Sequence, residues 1–297
     1  MTVIHHPFLL QRSTGRDIHG AWHVPESDAC GTVLFLHGYK GYMDWGAWRR
    51  VGDQFAARGW RFLRINFTHN GTTPEQPSKF ADLDAFAANT YSKELDEAVD
   101  VLRALRSAGC TEESKRAANL PLTVIGHSRG GGIACLAAAE ADRLLKSQDL
   151  SGVDHLVTWA AVADLESRFP KETELEVWKA SGKREIINHR TRQRLHHNWS
   201  FYEDFITHRD RLLIETAVKN FKGQMLIAHG KDDDAVSVNH ALQLKSWAVQ
   251  SELFLMQDSG HTFGSSEPWT QAGLPQPLEA LTQATLRFLS EGRAARH

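Results

Sequence analysis

Cysteine is scarce in this chain. Its three cysteines, Cys30, Cys110 and Cys135, are too few and of the wrong parity for a paired disulfide framework, so the sequence reads as a reduced, cytoplasmic protein. Long apolar runs are missing too. None approaches the roughly 18 unbroken residues of a membrane-spanning helix, which excludes membrane insertion. The opening Met1-Thr-Val-Ile-His-His-Pro-Phe-Leu-Leu10 has no basic stretch and no apolar segment of signal-peptide length. Neither sign of charge dominates. Lys plus Arg is 34 against 36 for Asp plus Glu, a formal net charge of −2, so no global field holds nucleic acid or an anionic membrane. The histidine pairs His5-His6 and His196-His197 point apart on a helix or strand, and no H-E-x-x-H occurs. No metal is expected. A P-loop and a dinucleotide fingerprint are both lacking, so no nucleotide cofactor is expected.

What is present is the balance of a globular protein, with 41% hydrophobic and 24% charged residues. Short apolar runs bounded by polar residues or glycine read as buried parallel strands. They are Val33–Leu36, Phe62–Ile65, Leu122–Ile125, Leu156–Trp159, Met225–Ala228 and Leu253–Met256. Helical stripes lie between them: Tyr91, Leu95, Ala98, Val99, Leu102 and Leu105, then Ile133, Leu136 and Ala137, and finally Leu278, Leu281, Leu286 and Leu289. This alternation predicts an α/β fold, a mostly parallel central sheet with helices on both faces. Phe8–Leu10 and Ile18–Val24, separated by Ser13-Thr-Gly15, predict an antiparallel edge hairpin. Residues 165–220 break the alternation. Rich in aromatics and charge and without a clear strand, they predict a helical cap over a core formed by 1–164 and 221–297. Within them, Lys183–Arg194 carries five Lys/Arg and one Glu. It reads as a solvated helix face, with recruitment of an acidic substrate or partner as the alternative.

The sharpest motif is Val124-Ile-Gly-His-Ser-Arg-Gly-Gly-Gly132, a G-x-S-x-G between a strand and a helix. A turn this tight needs small residues two places either side of Ser128, and it exposes the hydroxyl. A serine hydroxyl is a weak nucleophile, so it needs a general base and the base needs an orienting acid. Two downstream strands end in polar loops, His229-Gly-Lys-Asp-Asp-Asp-Ala-Val236 and Gln257-Asp-Ser-Gly-His-Thr-Phe263.

Over nearly its whole length the chain resembles an α/β-hydrolase-fold serine hydrolase. The matching segments are His37-Gly38, Gly126–Gly130, His229–Asp233 with Val236, and Gly260-His261. The resemblance implies the order nucleophile, acid, base, with Ser128, Asp233 and His261 in those roles. Asp232 and Asp234 compete for the acid position. It also implies an oxyanion hole from the backbone N–H groups of Tyr39 and Arg129. His37-Gly-Tyr-Lys-Gly41 with Asp44-Trp45, and Gly260–Gly264, are similar to dienelactone-hydrolase-like and acyl-peptidase-like members. Tyr42, Trp45, Trp178, Trp199, Phe201 and Tyr202 are the expected substrate-binding residues, with Phe205 a further candidate. The function implied is carboxylic-ester hydrolysis through an acyl-enzyme, without a cofactor, by a monomer or homodimer acting on a small molecule. An amide or peptide hydrolase, an acyltransferase on the same triad, and a non-catalytic binding protein of this fold are the alternatives.

Overall fold

The computed structural model describes residues 2–107, 112–188 and 190–294. Its strands begin with β1 (Val3–Leu10), β2 (Ile18–Pro25), β3 (Gly31–Leu36), β4 (Trp60–Ile65), β5 (Leu122–His127) and β6 (His155–Trp159). They continue with β7 (Lys183–Ile187), β8 (Arg194–Asn198), β9 (Gln224–Gly230) and β10 (Glu252–Met256). The helices are α1 (Trp48–Ala57), α2 (Leu83–Ala87), α3 (Tyr91–Arg106), α4 (Glu112–Ala117) and α5 (Arg129–Lys146). After them come α6 (Glu172–Ser181), α7 (Ser200–Thr207), α8 (Ile214–Asn220), α9 (Asn239–Trp247) and α10 (Gln276–Ala294).

Eight strands form one sheet in the order β1-β2-β4-β3-β5-β6-β9-β10. The expected hairpin β1–β2 lies at its edge and pairs antiparallel onto β4. From β4 to β10 every pairing is parallel. Alternation along each strand divides the core between the two faces. On β3, Leu34 and Leu36 join the apolar residues of α3, α5 and α9, while Val33 and Phe35 meet α1 and α10. This double burial is why the parallel strands read as mainly apolar runs rather than alternating ones. The α3 stripe is buried as its spacing predicts, and the Thr90 hydroxyl caps the helix by accepting the Lys93 N–H at 3.2 Å.

The segment between β6 and β9 holds α6, α7, α8 and two 3₁₀ turns, so it is largely helical as expected. It also contains a hairpin, β7 paired antiparallel with β8. The basic run Lys183–Arg194 is therefore not a helix face. It is this hairpin and its turn, with Leu195 and His197 buried and the arginines mostly outward. His189 and Cys110 lie outside the described residues; Cys30 and Cys135 carry free thiols. Polar and aromatic contacts fasten the segment to the core. Asp204 accepts from the Ser92 hydroxyl and backbone N–H. Arg211 grips Glu140 with two bonds of 2.8 and 2.9 Å and reaches Asp96 at 2.6 Å. Tyr91 of α3 packs edge-on against Phe169, Phe201 and Phe205. No described helix is long and apolar enough to cross a membrane.

Candidate active site

The turn between β5 and α5 has no room for a side chain two places before or two places after Ser128. A Cβ at Gly126 would lie 2.2 Å from the Gly130 carbonyl oxygen, and one at Gly130 would lie 2.4 Å from the His37 oxygen. The strain falls on Ser128 itself, whose φ of 57° and ψ of −122° are left-handed and uncommon for a residue with a Cβ. Backbone bonds hold it there: its N–H donates to the Trp159 oxygen at 2.9 Å, and its carbonyl accepts the N–H groups of Gly131 at 3.0 Å, Val162 at 3.2 Å and Gly132 at 3.4 Å.

From the hydroxyl, a hydrogen-bonded chain runs back into the protein. Ser128 Oγ lies 2.9 Å from His261 Nε2, and His261 Nδ1 lies 2.8 Å from Asp233 Oδ2. A carboxylate accepts only, so Nδ1 carries the proton and Nε2 is free to accept from the serine. The other oxygen, Asp233 Oδ1, accepts the backbone N–H groups of Ala235 at 2.9 Å and Val236 at 2.8 Å. Asp233 is thus the aspartate of the three that reaches His261; Asp232 and Asp234 are exposed. Burial alone would raise its pKa, but bonds from His229 and His261, the His261 charge and the Val236 N–H hold it well below the usual range.

Two further histidines, present in the motifs but not read there as site residues, brace this chain. His229 is fully buried beneath Asp233, its Nε2 3.2 Å from Oδ2 and 2.8 Å from the Val236 oxygen. His127, next to the serine, bonds through Nε2 to the His261 carbonyl at 2.9 Å. Burial, then the charge of His261, lowers its pKa to about 3, so this ring stays neutral.

The loop after β3 presses against the serine. A Cβ at Gly38 would come within 2.9 Å of Ser128 Cβ. Tyr39 follows, its hydroxyl 3.0 Å from His197 Nε2 and its ring stacked with His197 and Phe86. The Arg129 guanidinium sits 3.9 Å from the centre of the Tyr39 ring and pairs with buried Glu94 at 3.3 Å. The motif reading used only the Arg129 backbone, so it missed this side chain.

Ser128 and His261 open onto a cavity of about 350 Å³. Its apolar wall includes Val162, Leu165, Phe169, Trp178, Phe201 and Val236, so the segment after β6 supplies much of the roof. Of the expected substrate-binding residues, Trp178 and Phe201 line the cavity; Tyr42, Trp45, Trp199 and Tyr202 do not, nor does Phe205. Each of these five is absorbed by packing. Tyr42 joins Phe80, Phe86 and Leu195 in a separate apolar cluster, and Trp45 lies against Trp48. Trp199 and Tyr202 pack on each other and on Trp178 from outside, and Phe205 fills the space beside Tyr91 and Phe169.

A possible metal-binding group of described residues lies elsewhere, where His5, His23 and Asp53 bring their ligand atoms within 4.8 Å of one another. Arg64 Nε donates to His23 Nε2 at 2.8 Å, so His23 Nδ1 bears the proton it gives to Asp53 and has no lone pair for an ion.

A parallel sheet with a strained serine at the tip of a central strand, and histidine and aspartate on the next loops, defines a hydrolase-type α/β protein. The chain belongs to the alpha/beta hydrolase family, whose model matches residues 33–271. Solved structures agree on the fold. Est1E from Butyrivibrio proteoclasticus, with ferulic acid bound, is similar at a TM-score of 0.67 and 17% identity, over 94% of this chain and 96% of that one. Dienelactone hydrolase from Anabaena variabilis gives a TM-score of 0.60 and 16% identity, over 97% and 98% of the two chains. A putative hydrolase from Agrobacterium vitis S4 gives 0.65 and 20%, over 97% and 99%. Among curated protein sequences, none matches this chain.

Proposed function

We propose that the protein is a serine hydrolase that cleaves a small carboxylic ester through an acyl-enzyme. The observation that carries this is the Ser128–His261–Asp233 chain, with links of 2.9 and 2.8 Å, at the wall of a cavity. Ser128 Oγ attacks the ester carbonyl carbon while His261 Nε2 takes its proton. The backbone N–H groups of Tyr39 and Arg129 stabilise the oxyanion. As the carbon–oxygen bond to the alcohol breaks, His261 returns the proton to the leaving alcohol. Water then enters, gives a proton to His261 and releases the acid, and Ser128 recovers its hydroxyl proton. Asp233 fixes the imidazole tautomer and balances its charge throughout. Residues 165–220 serve as the cap. At about 350 Å³ the cavity lies at the small end of ligand sites, roughly 300–1,000 Å³, which favours short acyl groups.

The test is covalent labelling. A fluorophosphonate should modify Ser128, identified by peptide mass spectrometry, and folded Ser128→Ala protein should neither label nor hydrolyse 4-nitrophenyl butyrate. Labelling elsewhere, or undiminished turnover by Ser128→Ala, refutes the assignment.

A further inference from the structure

Four cations line the cavity: Lys40 after β3, Arg129 at the start of α5, Arg168 in the 3₁₀ turn Glu166–Arg168 and Arg184 on β7. Among the described residues, no carboxylate lines it. Glu94 neutralises Arg129 from beneath, at 3.3 Å. Among the described residues, none forms an ion pair with Lys40, Arg168 or Arg184.

Aromatic faces hold most of these cations instead. Arg129 lies 3.9, 5.1 and 5.5 Å from the ring centres of Tyr39, Tyr91 and Phe201. Lys40 lies 5.4 Å from Tyr39, and Arg184 lies 5.9 Å from Trp178. A ring face orients a cation without cancelling its charge or occupying its N–H donors. Arg168 spends one long bond, 3.3 Å, on the Ala235 oxygen. The gathering is unfavourable in the empty protein: burial, and then the charge of Arg129, lower the pKa of Lys40. Like charges converging on one cavity, Lys40 and Arg184 half-buried and Arg168 at its exposed rim, are compensated when an anion enters.

We propose that the substrate is a short ester bearing a free carboxylate, which Arg184, Arg168 and Lys40 bind while Ser128 attacks the ester carbonyl. Arg184 belongs to the basic run of the sequence, and it is the member of that run that reaches the cavity. The proposal rests on the serine-hydrolase reading and names its substrate class. A planar guanidinium matches a carboxylate through paired N–H donors, and such charge-assisted bonds are the strong ones.

The experiment compares monomethyl glutarate with dimethyl glutarate, which share an acyl chain and differ in charge. Methanol release gives kcat/KM for each. The expected preference for the monoester is about tenfold or more at low salt, narrowing in 0.5 M NaCl as the charges are screened. Arg184→Gln and Arg168→Gln should each cut the ratio about threefold or more. Equal turnover of the two esters overturns the proposal and leaves the hydrolase reading standing, as does a ratio that neither variant moves.

A second measurement is independent of turnover. Glutarate binding by calorimetry should be weaker in Arg184→Gln and should exceed binding of inorganic phosphate. Tighter binding of phosphate, or no glutarate binding, overturns the carboxylate assignment. Absence of both ester turnover and Ser128 labelling, with glutarate still bound through Arg184, would instead sink the hydrolase reading and keep the anion site.

Discussion

Replacing Asp233 by asparagine removes one charge and almost no volume, so it isolates what the carboxylate does. Asp233 Oδ1 accepts two backbone N–H groups at 2.9 and 2.8 Å, and Oδ2 accepts from His261 Nδ1 at 2.8 Å. An amide has one acceptor oxygen. If that oxygen turned toward His261, its NH₂ would confront two backbone donors, leaving both unpaired, at about 1–3 kcal/mol for the buried Val236 N–H. The amide therefore keeps its oxygen on Ala235 and Val236 and points its NH₂ at His261. Nδ1 must then accept, the ring proton moves to Nε2, and Nε2 can no longer take the proton of Ser128. The fold survives while kcat falls by roughly 10³–10⁴. Steady-state hydrolysis of 4-nitrophenyl butyrate, beside a thermal melt of the same preparation, makes the measurement. Asp232→Asn and Asp234→Asn, both at exposed positions, should stay within about twofold of the parent. A folded Asp233→Asn enzyme within tenfold of the parent kcat would refute this account, and a greater loss in Asp234→Asn would move the acid.

Gly126→Ala should cost roughly 3 kcal/mol or more, because its Cβ would meet backbone at 2.2 Å and backbone cannot swing aside; a normal denaturant midpoint would contradict that. Acid should destabilise the protein well above the carboxylate range. Burial lowers His23 and His37 to about 4 and His127 to about 3. The unfolded chain binds more protons than the folded one from about pH 6.5 downward, so stability present above pH 7 is lost on acidification. Between pH 7 and 5 each of these histidines should cost roughly 2 kcal/mol, while buried Glu94, pushed up by burial, opposes them. Calorimetric melts at the two pH values should show a clear drop, and equal midpoints would rule this out. Trp178→Ala and Phe201→Ala should shift selectivity toward longer acyl esters by roughly 1–3 kcal/mol. Tyr202→Ala should not, since its ring lies outside the cavity; a shift as large at Tyr202 would displace the lining.

The parallel strands were legible because burial on both faces leaves few polar residues in them, such as Arg64, Thr123 and Thr158. Val33–Leu36 needs no long-range information to be read. The serine turn was legible for a related reason. Contacts to Gly126 and Gly130 come from backbone a few residues away or from the neighbouring strand end, so the constraint is written as glycine. The segment after β6 was harder. Its aromatics all looked alike, yet Phe201 faces the cavity and the adjacent Tyr202 turns onto Trp199, a choice made by partners far along the chain. The β7–β8 hairpin hid for a different reason. Its outward arginines break the apolar alternation that marks a strand, and among the described residues its two strands bury only Leu195 and His197. Arg129 was seen as a backbone donor, because nothing local announces that Glu94 waits beneath its side chain.

The fastening of the roof has a kinetic consequence. Asp204 is bound to the start of α3, Arg211 is clamped to α3 and α5, and the aromatic cluster around Phe169 is shared with Tyr91. A roof tied at three places to core helices is not a flap that an oil–water boundary could peel away. The enzyme should therefore show no interfacial activation. Its rate on a short ester should saturate smoothly with concentration, without a jump where the substrate begins to form droplets or micelles.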